Sequence, residues 1–288
     1  MIVPTDIPIS HRPIFEENYR AITRGTDKLM LFACDQKIEQ LNPINPEDFF
    51  VIAASAYVGA FATQPGLIAR YGAQYQNIDY IAKLNAKTNL ISSSQRDPSS
   101  RQGWSVEQVV QFAQESKLPI RGVAYALYPG SEFEDIQLAE AARIVHEAHQ
   151  YGLIAMLWVY PRGKAVRHET EARVIIGAAS IATALGADFV KVKVPTPERH
   201  ASSAQLMNEV VKAAGNTTVL FAGGERQDPG KFLREVHDLL TIGKVGGCAV
   251  GRNIYEHDFA YAIKMAEALS SLVYKGQTLA HAQSIIGL

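Results

Sequence analysis

Two lysines, Lys191 and Lys193, sit in a stretch that otherwise has the composition of a buried strand, residues 186–195 (GADFVKVKVP). A lysine in such a place is costly unless its charge is paired or its pKa falls. With a lowered pKa it becomes a nucleophile towards carbonyls, through a Schiff base. Residues two apart on a strand face the same side, so both lysines are expected to point one way. The ammonium of Lys193 would then depress the pKa of Lys191 by like-charge repulsion. Tyr160, at the end of the preceding apolar run, is placed to reach the same space as a general acid/base.

A second group follows the next two apolar runs. These are Gly223-Gly224 and Gly251-Arg252. Glycine allows backbone N–H groups to approach a phosphate closely, and helix N-termini favour anions. Arg252 adds a planar fork of donors suited to phosphate. Together these four residues suggest one phosphate pocket. Each residue also has a plainer reading. Asp35, just after an apolar run, suits a cap or turn. Tyr160 suits a core aromatic, Gly223-Gly224 a tight turn, and Lys193 an ordinary ion pair. Their joint occurrence at strand ends carries the functional reading.

Such residues need a scaffold that gathers many strand ends. Short apolar runs alternate with amphipathic stretches along the chain. Strands are expected at 28–34, 57–63, 80–85, 121–127, 153–160, 188–194, 217–222 and 247–251. A helix is expected to open at 45–48, and further helices at 65–71, 105–116, 132–151, 169–185, 202–214, 229–242 and 258–274. Asn45 with Pro46 and Ser105 with Gln108 are the helix-start signals. Regular β-α alternation predicts a parallel sheet. Eight units in 288 residues favour a closed (β/α)8 TIM barrel, whose usual size is about 250 residues, as a single domain spanning 1–288. Residues 1–27 are expected to be an N-terminal lead-in, with His11-Arg12-Pro13 breaking any helix early. In a barrel the chemistry lies at the C-terminal strand ends. Here those ends hold Asp35, Lys83, Asn85, Tyr128, Trp158, Tyr160, Arg162, the two lysines and the glycines. The polar segment 88–105 is expected to be a long loop on that face, anchored by Trp104.

Bulk composition narrows the function. Hydrophobic residues make up 47% and charged residues 20%, enough for a large core. The net charge is −1, from 28 basic and 29 acidic residues. That balance argues against a generic nucleic-acid or polybasic membrane binder. Cys34 and Cys248 lie in apolar runs and are expected to be buried, reduced thiols. No secretory leader or spanning stretch is evident, so a cytoplasmic location is the default expectation. The histidines offer no persuasive metal set; His146 and His149 are expected on a surface helix face.

The assembled pieces resemble the archaeal-type class I fructose-bisphosphate aldolases. They are Asp35 with Ile38-Glu39, Lys83 to Thr88, Tyr128-Pro129-Gly130-Ser131, Trp158 to Gly163, Gly186-Ala187-Asp188 with Val190-Lys191, Gly223-Gly224, and Gly251 to Ile254. The resemblance covers roughly residues 28–275, and the pieces are specific as an ordered set. It implies a Schiff-base role for Lys191 and an acid/base role for Tyr160. It places Asp35 near the substrate hydroxyls and has Trp158 shape the pocket. Gly224, Gly251 and Arg252 would bind the ketose C1 phosphate with Gly223 beside them; Arg162 and Lys83 are candidates for the distal phosphate, with Lys193 near the substrate. It further implies a metal-independent reaction without cofactor, a phosphosugar substrate, and a homo-oligomer such as a decamer. Two departures fall on the substrate side. The family's first motif commonly reads Asp-His-Gly-Ile-Glu-His, where this chain has Gln36 and Gln40 for the histidines. Ala222 stands where serine often precedes the two glycines. Relatives in the superfamily perform transaldolase-like or thiolase-like transfers. A barrel that binds phosphosugar without cleaving it is the non-enzymatic alternative.

Overall fold

The protein is described from a computed structural model, which covers residues 1–35, 44–88, 90 and 97–288. Gln36, Gln40 and Ile38-Glu39 lie outside the described residues, as do 89 and 91–96 of the long polar loop.

The apolar runs form eight strands: β1 (Leu29–Ala33), β2 (Ala60–Thr63), β3 (Tyr80–Lys83), β4 (Ile120–Leu127), β5 (Ile154–Val159), β6 (Phe189–Val192), β7 (Thr218–Ala222) and β8 (Gly247–Val250). All pair in parallel and in sequence order, and β8 closes on β1, so the expected barrel is present. Strands covered on both faces read as near-continuous apolar runs, which is why no alternation showed in the sequence. Alternation still decides what points inward. Leu29 and Leu31 fill the barrel on β1, Ile154, Met156 and Trp158 on β5, and Phe189 on β6. Met30, Phe32, Val190 and Val192 pack outward against the helices. The same period aims Lys83 and Lys191 inward, and Trp158 and Lys191 are direct partners in the β5–β6 register.

The helices are α1 (Arg12–Thr23), α2 (Pro46–Ala53), α3 (Pro65–Tyr71), α4 (Val106–Ser116), α5 (Glu134–Gln150), α6 (Ala172–Ala184), α7 (Ser203–Ala214), α8 (Pro229–Thr241), α9 (Arg252–Tyr255), α10 (Phe259–Lys275) and α11 (Leu279–Ile285). The start signals hold. Asn45 Oδ1 accepts from the Glu47 N–H, and Ser105 and Gln108 form a reciprocal capping box.

Several expectations need correction. Pro13 does not break a helix; it lies in the first turn of α1, where its missing N–H costs no bond. That helix puts Phe15, Tyr19 and Ile22 against the inward residues at the N-terminal end of the barrel, with Tyr19 stacked on Phe189 at 5.6 Å. His149 is not on a surface face. It is 1% exposed and bridges Asp6 (2.9 Å) and Asp188 (3.3 Å). The helix expected from residue 169 begins at Ala172, leaving Glu169 in the β5–α6 loop. β6 ends at Val192, one residue short of Lys193. Both cysteines are buried free thiols, and Trp104 is anchored by packing on Phe112. Among the described residues, no helix is long and apolar enough to cross a membrane.

Candidate active site

A cavity of about 480 Å³ opens at the C-terminal ends of the strands. Asp35, Lys83, Trp158, Tyr160, Arg162, Lys191, Lys193, Gly223, Gly224 and Arg252 all line it. Gly251 does not. It lies behind the wall, where an added Cβ would sit 2.2 Å from the Ala33 carbonyl oxygen. Gly251 therefore lets β8 pass close to β1 and turn Arg252 into the cavity.

Lys191 is 1% exposed, and its Nζ has no hydrogen-bond partner among the described residues. It stands 3.9 Å from Asp35 Oδ1 and 5.1 Å from the centre of the Trp158 ring. Burial pushes its pKa down, Asp35 and Cys34 push it up, and Arg252 adds a like charge that lowers it again; the net direction is down. The expected neighbour was different. The Lys193 ammonium is held by Glu169 instead, and the charges that shift Lys191 are those of Asp35, Cys34 and Arg252. Desolvation is the main cause, and the like charge comes from Arg252, two strands away after β8.

Asp35 is 3% exposed, just beyond β1. The Trp158 indole donates to its Oδ2 at 2.5 Å, which fixes the carboxylate and leaves Oδ1 without a partner among the described residues. Trp158 therefore shapes the pocket by holding Asp35. Lys83 lies 3.9 Å from Asp35 Oδ2 and donates to the Asn85 carbonyl (2.7 Å) and Asn85 Oδ1 (2.9 Å). Burial lowers its pKa to about 8 against the pull of Asp35. This deep position, sharing Asp35 with Lys191 and not at the rim, does not suit the distal-phosphate role expected of it. Asn85 is itself bound to Ala126 and to the Ser100 carbonyl, so it ties the long loop to the site.

Tyr160 follows β5. Burial and Asp35 push its hydroxyl pKa well up, outweighing Arg162 and Arg252, so it is a neutral phenol at ordinary pH. Tyr128, at the end of β4, is likewise raised to about 12, mainly by burial.

The glycine end is more specific in structure than in sequence. The Gly223 N–H is spent on the Ala249 carbonyl (3.1 Å), while Gly224 takes φ +70° and turns the chain along the cavity. Asn253, 2% exposed, donates to the Gly223 (2.7 Å) and Glu225 (2.9 Å) carbonyls and accepts from the Gln227 N–H (2.9 Å). It holds this whole loop in place, and the sequence reading gave it no role. Arg252 Nε is buried without a partner among the described residues; its Nη1 stands 3.6 Å from the exposed Glu225.

On the β5–β6 side, Arg162 forms a bidentate pair with Glu169 (2.7 and 2.9 Å), and Lys193 binds the same carboxylate. Burial pushes the Glu169 pKa up, but the bonds and charges of Arg162 and Lys193 win and hold it at about 2. Glu169 was missed because its position looked like the start of a helix. Among the described residues, no three His, Cys, Asp or Glu side chains come together to hold a metal ion.

Known proteins resemble this chain in sequence and fold. The DeoC/LacD family aldolase model matches residues 1–257. A protein of Methanocaldococcus jannaschii named fructose-bisphosphate aldolase/6-deoxy-5-ketofructose 1-phosphate synthase is 43% identical, over 98% of this chain and 93% of its own length. The solved structure of a fructose-bisphosphate aldolase from Slackia heliotrinireducens is 40% identical with a TM-score of 0.96, covering 99% of this chain and 93% of that one. An archaeal fructose-1,6-bisphosphate aldolase, solved with its catalytic lysine bound to the carbinolamine intermediate, is 32% identical with a TM-score of 0.77, over 90% of this chain and 99% of that one.

Proposed function

This chain belongs to the DeoC/LacD aldolase family, and on that premise we propose that it cleaves and forms fructose 1,6-bisphosphate through a Schiff base on Lys191. The observation that carries the reading is the Lys191 amine. It is buried, unpartnered among the described residues, lowered in pKa, and open to a cavity of sugar size.

In this mechanism the unprotonated Lys191 amine attacks C2 of the ketose. The carbinolamine loses water, with the neutral Tyr160 phenol supplying the proton to the departing hydroxyl. The resulting iminium is an electron sink. As the C3–C4 bond breaks, its electrons flow into the iminium and form an enamine, and the C4 hydroxyl proton returns to Tyr160. Glyceraldehyde 3-phosphate leaves. Protonation at C3 and addition of water then release dihydroxyacetone phosphate and the free lysine. Asp35 Oδ1, held in place through Trp158, is available to the substrate hydroxyls. Arg252, beside Gly224, suits the C1 phosphate. The second activity in the Methanocaldococcus jannaschii protein's name denotes a product with phosphate on C1 and a 6-deoxy end. It would need the same donor half of the site.

Borohydride reduction in the presence of dihydroxyacetone phosphate tests the reading. A reduced adduct mapped to Lys191 by mass spectrometry is expected. Absence of an adduct, or an adduct only on Lys193, overturns it and leaves a phosphosugar-binding barrel as the alternative. Cleavage of fructose 1,6-bisphosphate with and without chelator then tests the substrate and metal independence.

A further inference from the structure

The β7–β8 and β5–β6 sides of the cavity are built differently. At the β7–β8 end, Arg252 keeps a buried Nε without a partner among the described residues, and its nearest carboxylate, Glu225, is 87% exposed. At the β5–β6 end, both cations already hold an anion. Glu169 takes Nε and Nη2 of Arg162 and the ammonium of Lys193. A carboxylate in that grip occupies the donors that a phosphate would need.

The grip is built into the fold. The Arg162 N–H donates to the Pro129 carbonyl at 2.9 Å. On the other side, Thr170 is latched to the loop after β6. The Thr196 N–H donates to the Thr170 carbonyl at 2.9 Å, and the two hydroxyls meet at 2.7 Å. Glu169 is thus held between two fixed loops and is not a surface carboxylate that happens to face a cation.

We propose that Glu169 is a specificity-determining residue, an internal anion that screens Arg162 and Lys193 from the distal end of the substrate. It thereby weakens the preference for a phosphorylated acceptor aldehyde and opens the site to short aldehydes whose distal end is uncharged. A distal phosphate enters only by displacing the Glu169 carboxylate, whereas an uncharged end leaves the ion pairs intact. The bond formed is the same in either case, from enamine C3 to the aldehyde carbon. This inference rests on the Schiff-base reading of Lys191 given above.

The test runs the reaction in the direction of condensation, with dihydroxyacetone phosphate as donor. Glyceraldehyde 3-phosphate and glyceraldehyde serve as acceptors that differ only in the phosphate. The readout is the ratio of kcat/KM for the phosphorylated over the plain aldehyde. Glu169→Gln is expected to raise that ratio about tenfold, the worth of one charge-assisted hydrogen bond. Arg162→Met in the Glu169→Gln background should remove the gain. Should the Gln variant not fold, Glu169→Asp decides, because drawing the carboxylate back by one methylene must also raise the ratio. A ratio that stays level or falls overturns the inference and makes Glu169 a residue that orients Arg162 for the phosphate. Borohydride trapping with dihydroxyacetone phosphate separates the two layers. A Lys191 adduct with an unchanged ratio sinks the inference alone. No adduct in the wild-type protein sinks the underlying reading, and the inference with it.

Discussion

Lys191 Nζ and Asp35 Oδ1 stand 3.9 Å apart at the head of the barrel interior, each without a hydrogen-bond partner among the described residues. The separation is too long for a hydrogen bond and short enough for strong Coulomb coupling in a desolvated site. The pair therefore attracts without closing, and both atoms line the cavity without a hydrogen bond to each other. It also means that Asp35 works against the activation of Lys191, since its charge raises a pKa that burial lowers.

That opposition predicts a pH effect. Only the unprotonated amine attacks a carbonyl, so adduct formation rises as pH climbs through the Lys191 pKa. Asp35→Asn removes the charge that holds this pKa up. Its inflection should therefore lie at lower pH than in the wild-type protein, even if the plateau rate falls. The rate of borohydride-trapped adduct as a function of pH, with dihydroxyacetone phosphate, gives both curves. A shift to higher pH would mean that Asp35 acts on Lys191 in some other way.

Asn253 should separate loop order from chemistry. Asn253→Ala deletes three hydrogen bonds from a buried side chain and leaves the Gly223 and Glu225 carbonyls without those donors. A loss of about 2 kcal/mol in stability is expected. The Gly223–Gln227 loop would loosen beside Arg252, so KM for phosphorylated substrates should rise more than kcat falls. Urea unfolding and steady-state kinetics check the two parts. An unchanged KM would show that the loop does not set the phosphate site.

Gly251 offers a sharper steric case. An alanine there would bring Cβ to 2.2 Å from the Ala33 carbonyl oxygen and 3.1 Å from the Tyr255 ring. The first contact is with backbone, so β1 and β8 must move apart where the barrel closes. Gly251→Ala is expected to cost more than about 2 kcal/mol. It should also weaken phosphate binding, because Arg252 follows directly. Thermal unfolding of the variant with and without inorganic phosphate measures both effects; a wild-type melting curve would refute the packing argument.

The barrel and half of the candidate site's lining were legible for a physical reason. Strand period and residue type together place Lys191, Trp158, Tyr160 and Asp35 at inward positions of strand ends, and both are written locally in the chain. Contacts between loops are not. Glu169 reaches Arg162 because the chain stays irregular up to Glu171, the residue before α6, and a helix-start reading hides that. Asn253 reads as one member of a Gly-Arg-Asn turn, yet its three partners lie between 26 and 30 residues earlier. Lys193 failed in the opposite way. Its facing was right, but its charge is absorbed by a carboxylate from another loop. Strand period placed Lys83 in the cavity lining but not its depth, because a rim residue and a deep one look alike when a strand's end is uncertain by two positions.

His149 gives the last prediction, at the end of the barrel away from the cavity. Its two ring nitrogens meet Asp6 Oδ2 and Asp188 Oδ2, and Asp188 also accepts from the Ala155 N–H at 2.8 Å. The bridge ties the N-terminal lead-in to the start of β6, three residues before Lys191. Burial lowers the His149 pKa, but bonds and charges from Asp188 and Asp6 outweigh it, and the net direction is up. A folded pKa above the unfolded value of about 6.5 contributes stability that is complete below that pH. The contribution is lost as pH rises through the higher folded value. His149→Gln should therefore lower Tm most at pH 6, with the gap to the wild-type protein narrowing towards pH 9. Paired melting curves across that range check it. A gap that widens with pH would mean that the ring is neutral in the folded protein and that the bridge is not ionic.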